Sequence, residues 1–171
     1  MLRSLEQDRA KYAWDCVKQM RAEIRKEYDQ KSGLLKKITE EINKEKRESK
    51  IEERLSTYYK NIESKYSSYV KKTPTLIQTN GMGNTLAFYR SKFGKENEEK
   101  LSADNRAYKL LYEHINNWFN EKCNIKQDII EWIISENSSS IDVFKATREI
   151  LSLLNWIKRF AEAELKGDKS G

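Results

Sequence analysis

A single proline, Pro74, and only six glycines interrupt the 171 residues of this chain. Proline and glycine are the strongest breakers of regular backbone, and a sheet protein needs such turns between its short strands. A chain this poor in breakers is confined to long helices. The apolar periodicity agrees. Ala13, Cys16, Val17, Met20, Ile24 and Tyr28 follow one another at three- and four-residue steps, as one face of a helix requires. The same stepping joins Ile51 to Val70, Ala107 to Phe119, and Val143 to Ala161. No alternating strand pattern and no internal repeat occurs. The expected fold is all-α: a single-domain bundle of about six or seven helices over residues 1–171.

Boundaries follow from local chemistry. Ser4 with Gln7 three residues on has capping-box spacing, so the first helix is expected to start there and to end at Ser32-Gly33. Leu35, Ile38 and Ile42 make a thin stripe, then Asn43 to Lys50 holds no apolar residue. Residues 31–50 are therefore expected to be exposed or mobile, with a firm helix over 51–72. Thr73-Pro74 predicts a new start, Thr as N-cap and Pro in the first helical position. Gly81 and Gly83 predict a kink or tight turn, Gly94 a stop, and Lys95 to Lys100 a charged loop. Ser102 caps the next helix, a short helix surrounds Gln127 to Ser135, and the last runs from about Ile141 to Leu165 before a polar tail from 167.

Composition decides whether such a chain folds. Hydrophobic residues make up 37% and charged residues 35%, a balance that in a chain without aromatics would favour disorder. The aromatic share of 11% supplies the bulk for a core. Lys and Arg exceed Asp and Glu by 33 to 27, a net charge of +6. The excess is regional: residues 31–72 carry twelve bases against seven acids. Such a balance permits a nucleic-acid or acidic partner. Met1 to Arg9 has no apolar leader pattern, and the densest apolar cluster, Ile129 to Ile134, is too short for a bilayer. A soluble, cytoplasmic protein is expected, with no membrane partner.

Little in the sequence suggests catalysis. The one histidine, His114, lies on an apolar face and cannot alone build a zinc site. Cys16 and Cys123 stand far apart within apolar helical patterns and read as reduced core residues. Cys16 has no partner base near it in sequence. Paired-carboxylate chemistry is disfavoured because most acids interleave with Lys or Arg, as Glu40-Glu41 do with Lys36, Lys37 and Lys44. Gly81-Met82-Gly83 lacks the Gly-Lys-Ser/Thr ending of a phosphate loop. No catalytic residue, metal ligand or cofactor site is expected.

Basic residues with aromatic company remain. Arg148, Ser152, Asn155 and Arg159 fall on one polar stripe of the last helix, opposite Ile150, Leu154, Ile157 and Ala161. Lys71 and Lys72 precede Pro74, and Arg90 and Lys92 precede Gly94. Cations on a rigid helical surface contact phosphates without reading sequence. The expected RNA-contacting set is Lys71, Lys72, Arg90, Lys92, Arg148, Lys158 and Arg159. For any one of these the plainer alternative is a solvated helix face.

Two segments together resemble a known family. Tyr69 to Phe93 approaches Pro74 through Tyr69, Lys71 and Lys72. It continues through Leu76-Ile77, Asn80-Gly81, Leu86-Ala87-Phe88 and Ser91-Lys92, with Met82 where leucine is commoner. Thr147 to Ala163 is similar to the same family's C-terminal helix, and Leu5-Glu6-Gln7 with Arg9, Ala10 and Ala13 to its opening. The family is the small helical subunit of the Cmr complex, the type III-B CRISPR RNA-silencing effector. The resemblance implies a non-catalytic subunit of a ribonucleoprotein in RNA-guided antiviral defence. It implies several copies stacking head to tail beside the guide-binding backbone subunit and holding guide and target RNA while other subunits cut. Trp14 and Trp156, at the edges of their apolar stripes, suit either an interface or packing within the monomer. The alternative from the residues alone is a helical protein–protein adaptor with no nucleic-acid role. A third reading is a helical enzyme with a carboxylate site.

Overall fold

The computed structural model describes residues 4–42, 45–94 and 101–165, with backbone only for 39–42 and 45–48. Among the described residues six helices and no strand occur. They are α1 (Leu5–Ile42), α2 (Glu45–Asn80), α3 (Met82–Phe93), α4 (Ala103–Cys123), α5 (Ile129–Ile133) and α6 (Ser140–Glu164). The all-α bundle expected from the breaker count is what forms. The loop expected at Lys95 to Lys100 and the tail from 167 lie outside the described residues.

α6 packs along both α1 and α2, and α4 packs along α2 and α3. The core takes the faces read from the periodicity: Ala13, Val17 and Met20 of α1, Ile62, Tyr66 and Val70 of α2, Leu111, Ile115 and Trp118 of α4, and Ile150, Leu154 and Ile157 of α6. Its wide aromatics carry polar tips, and several find partners as burial favours. Tyr12 Oη donates to the His114 carbonyl at 2.8 Å, and Trp118 Nε1 donates to Glu149 Oε1 at 3.0 Å. The same carboxylate receives Arg9 Nε at 2.9 Å and a terminal guanidinium nitrogen at 2.6 Å. One acidic group thus joins α1, α4 and α6.

Two breakers do not break. Ser32-Gly33 was expected to end the first helix, yet α1 continues to Ile42. Ser32 is buried and its hydroxyl donates to Glu52 Oε1 at 3.1 Å, so packing against α2 outweighs a glycine penalty of about 1 kcal/mol. Residues 31–38 and 49–54 are helical and mostly exposed; the centre of the charged segment, 43–44, lies outside the described residues. Pro74 was expected to start a helix but sits inside α2. It leaves the Val70 carbonyl without its usual donor, while Val70, Thr73 and Ile77 are all buried around it. Thr73 Oγ1 donates to the Tyr69 carbonyl at 2.6 Å and meets Tyr89 Oη at 2.7 Å. That buried link to α3 holds the helix through the proline.

The real break is Gly81, whose φ of +83° only glycine adopts without strain. It turns α2 into α3. Gly83 lies within α3, where a Cβ would stand 3.4 Å from Ile133 Cγ2, so it is the seat of α5 on α3. Ser102 and Asp128 cap α4 and α5, and Ser139 with Asp142 forms a complete capping box on α6.

Candidate nucleic-acid interface

The capped α6 presents the polar stripe as its solvent side. Arg148, Asn155 and Arg159 are exposed, opposite the buried Ile150, Leu154, Ile157 and Ala161. Ser152 donates to the Arg148 carbonyl of its own helix at 2.9 Å. Each arginine lies over an aromatic ring of its own helix, Arg148 at 6.0 Å from the Phe144 centroid and Arg159 at 5.4 Å from that of Trp156. Neither makes an ion pair among the described residues, although Arg159 lies close enough to Glu6 to help hold that carboxyl ionised. Trp156 stacks on Phe160 at 5.7 Å, Phe160 meets Trp14 of α1 at 5.2 Å, and Trp156 Nε1 donates to Glu6 Oε1 at 2.7 Å. Glu6, Ser152, Asn155, Trp156 and Arg159 line a shallow groove. The Trp156 bond, then Arg9, hold the Glu6 carboxyl below its ordinary value. Lys158 is half-buried beside the stripe.

The four cations expected around the glycine kink separate into two kinds. Lys71 reaches across to Glu162 of α6 at 3.7 Å, so it borders the α6 stripe. Arg90 points to the α4–α5 corner, where it pairs with Asp128 at 2.8 Å and Glu131 at 3.9 Å. Its charge is largely neutralised there. Lys72 is exposed and has no ion pair among the described residues. Lys92 places Nζ 4.7 Å over the ring of Phe88, which is itself 46% exposed. Leu76, Asn80, Asn84, Thr85 and Phe88 line a cleft of about 340 Å³ at this corner.

Elsewhere the titratable groups are structural. His114 Nδ1 lies 2.7 Å from Tyr66 Oη, and burial pushes the imidazole down to about 4. A neutral ring with its proton on Nε2 accepts that bond. Cys16 is buried and its thiol is pushed up to about 12 by desolvation, the opposite of what a nucleophile needs. The other cysteine, Cys123, is exposed rather than in the core as expected, at the C-terminal end of α4. Among the described residues no three His, Cys, Asp or Glu side chains gather as a metal site would require. No helix there is long and apolar enough to cross a membrane.

Residues 36–164 match the model of the family described as CRISPR-associated protein (Cas_Cmr5). The chain belongs to that family. As a Cas_Cmr5 member it is a subunit of the CRISPR-associated Cmr complex. The matched span holds both segments that carried the resemblance, Tyr69–Phe93 and Thr147–Ala163, and most of the charged stretch 31–50. In structural terms the first segment is the α2–α3 corner, complete with its cleft, and the second is the exposed α6 stripe.

Asn84 and the exposure of Phe88 were not among the residues picked out by charge. The signal was present in the spacing: Lys72, Leu76 and Asn80 recur at four-residue steps, as do Asn84, Phe88 and Lys92.

Proposed function

We propose that this Cas_Cmr5 chain is a non-catalytic, RNA-contacting small subunit of a cytoplasmic type III-B effector, acting as one unit over its whole length. Its cationic surface meets the phosphate backbone of guide or target RNA. The observation that carries the reading is the pair Arg148 and Arg159. Both are exposed and without ion pairs among the described residues, and they share one stripe of a helix fixed by a capping box and by packing on α1 and α2. Lys71, Lys158 and Lys72 extend that surface round α2, and Lys92 ends it on α3. Such contacts position a duplex without reading bases.

Stacking of copies beside the backbone subunit is supported by the two ends of the molecule. α1 and α6 run parallel, since Arg9 meets Glu149, Trp14 meets Phe160 and Lys18 meets Glu164. Ile38 lies twenty residues beyond Lys18 and Ile141 twenty-three before Glu164, so at 1.5 Å per residue they stand about 65 Å apart. Leu34, Ile38 and Ile51 are exposed at one end, and Ile134, Ile141 and Phe144 at the other. The first group lies in stretches 29–38 and 49–54, with five bases and three acids; the second lies in a stretch, residues 128–144, with four acids and no base. Unlike patches at opposite ends make a head-to-tail contact, which repeats along a line.

The test is Arg148→Ala with Arg159→Ala, in the complex purified through a tag on this chain at low salt. Loss of phosphate contacts lowers RNA retention and flattens its salt dependence, by about 0.7 in log–log slope per contact for a single strand. Equal retention at every salt concentration would falsify the assignment of the stripe. Partners recovered without RNA would instead favour the adaptor, and a single copy per complex would remove the stacking.

A further inference from the structure

The cleft at the α2–α3 corner has a construction that backbone binding does not require. Its lining residues Leu76, Asn80, Asn84 and Phe88 lie on two helical rows joined at Gly81, which continue beyond the cleft to Lys72 on α2 and Lys92 on α3. Residues four apart on a helix stand on one face, one above another. The rows therefore run from amides at the hinge, through an apolar middle, to a lysine at each tip. The left-handed φ of Gly81 sets the two rows at this corner.

The lining suits a flat, partly polar group. The Asn80 and Asn84 carboxamides are exposed and make no hydrogen bond to any described residue, so both offer a donor and an acceptor. Thr85 is different, since its hydroxyl is committed to the Gly81 carbonyl at 2.8 Å. Phe88 is held rather than loose: Tyr108 meets it edge-on at 5.8 Å, and Lys92 covers part of it. Among the described residues no carboxylate lines the cleft. Asp104 on neighbouring α4 is occupied by the Tyr69 hydroxyl and by Lys65 at 3.3 Å. At about 340 Å³ the space stands at the small end of ligand pockets.

We propose that this cleft seats one unpaired nucleobase of an RNA strand, stacked on Phe88, with its edge on the Asn80 and Asn84 amides and the flanking phosphates on Lys72 and Lys92. The inference rests on the RNA-contacting reading above and adds to it a contact with a base. An aromatic platform beside cations is the general means of holding single strands without strong sequence preference. Amides at the rim add hydrogen bonds to whichever base edge is presented. The cations around the cleft, with no carboxylate among the described residues of its lining, favour RNA over an acceptor for basic protein side chains.

The experiment measures binding of the full chain at low salt, by fluorescence anisotropy, to two probes. One is a short oligouridylate of about a dozen nucleotides; the other is a sugar–phosphate strand of equal length without bases. Phe88→Ala is expected to weaken oligouridylate binding by about 5- to 150-fold, the range for stacking one base, and to leave the base-free strand unchanged. Phe88→Trp restores binding, while Lys72→Ala with Lys92→Ala weakens both probes. Circular dichroism confirms that each variant is folded, as expected for an exposed ring. If the parent binds both probes and Phe88→Ala binds them as the parent does, or loses both equally, the cleft is not a base site and the phosphate stripe stands. If the parent binds neither, the RNA-contacting reading falls and takes the cleft with it. If Phe88→Ala leaves RNA binding intact but releases a neighbouring subunit, the occupant is a protein side chain and the proposal is overturned.

Discussion

His114 makes the stability of this bundle sensitive to mild acid. The residue is only partly exposed and its ring packs edge-on against Tyr66, and desolvation lowers it from an ordinary 6.5 to about 4. The unfolded chain therefore takes up a proton at a pH where the folded chain refuses it. Stability from this group is complete above about pH 6.5 and falls as the pH drops, until the folded form also titrates near 4. At about 1.36 kcal/mol per pH unit the loss is about 2 kcal/mol by pH 5 and about 3 kcal/mol by pH 4. Carboxylates such as Glu149, whose folded-state values are depressed, contribute acid loss only below their unfolded range near 4.3. The window from pH 6.5 to 5 therefore isolates the histidine. Urea unfolding followed by tryptophan fluorescence at half-unit pH steps measures the slope. His114→Gln, which cannot titrate, is less stable at pH 7 and nearly flat across this window. A parent curve flat from pH 7 to 5, or a variant with the parent's slope, would refute burial of a neutral imidazole.

Glu149→Gln replaces a doubly bonded carboxylate with an amide that satisfies Arg9 and Trp118 less well; a loss of about 2 kcal/mol is expected in denaturant unfolding. Adding Arg9→Ala should cost less than its separate effect, because the two groups are coupled. Gly33→Ala should raise stability by about 0.5–1 kcal/mol, since a Cβ there meets nothing within 4 Å. No gain, or a loss, would mean that position 33 is not helical.

The sequence carried the faces of the helices because burial and periodicity are linked directly: Val17, Tyr66, Ile115 and Ile150 all lie where the three- and four-residue steps put them. It misled at Ser32-Gly33 and Pro74 because local breaking tendencies amount to only a few kcal/mol. The partners that outweigh them, Glu52 and Tyr89, are distant in sequence or on another helix. The cation set shows the same limit. Arg90 and Lys92 are two residues apart, yet one faces Asp128 and the other Phe88, a distinction that rests on where α5 docks. That Arg148 and Arg159 share one exposed stripe was legible because their own helix fixes their relative positions.

The joint at Glu149 also bears on the order in which the protein assembles. The carboxylate closes a circuit whose members are separated by 140 residues of chain, and α6 covers faces of both α1 and α2. As synthesis proceeds, α1 through α5 emerge with the faces of α1 and α2 that α6 packs on still uncovered. The molecule is thus locked from its far end, and cuts upstream of Ser140 should leave an open, sticky intermediate rather than a smaller stable protein.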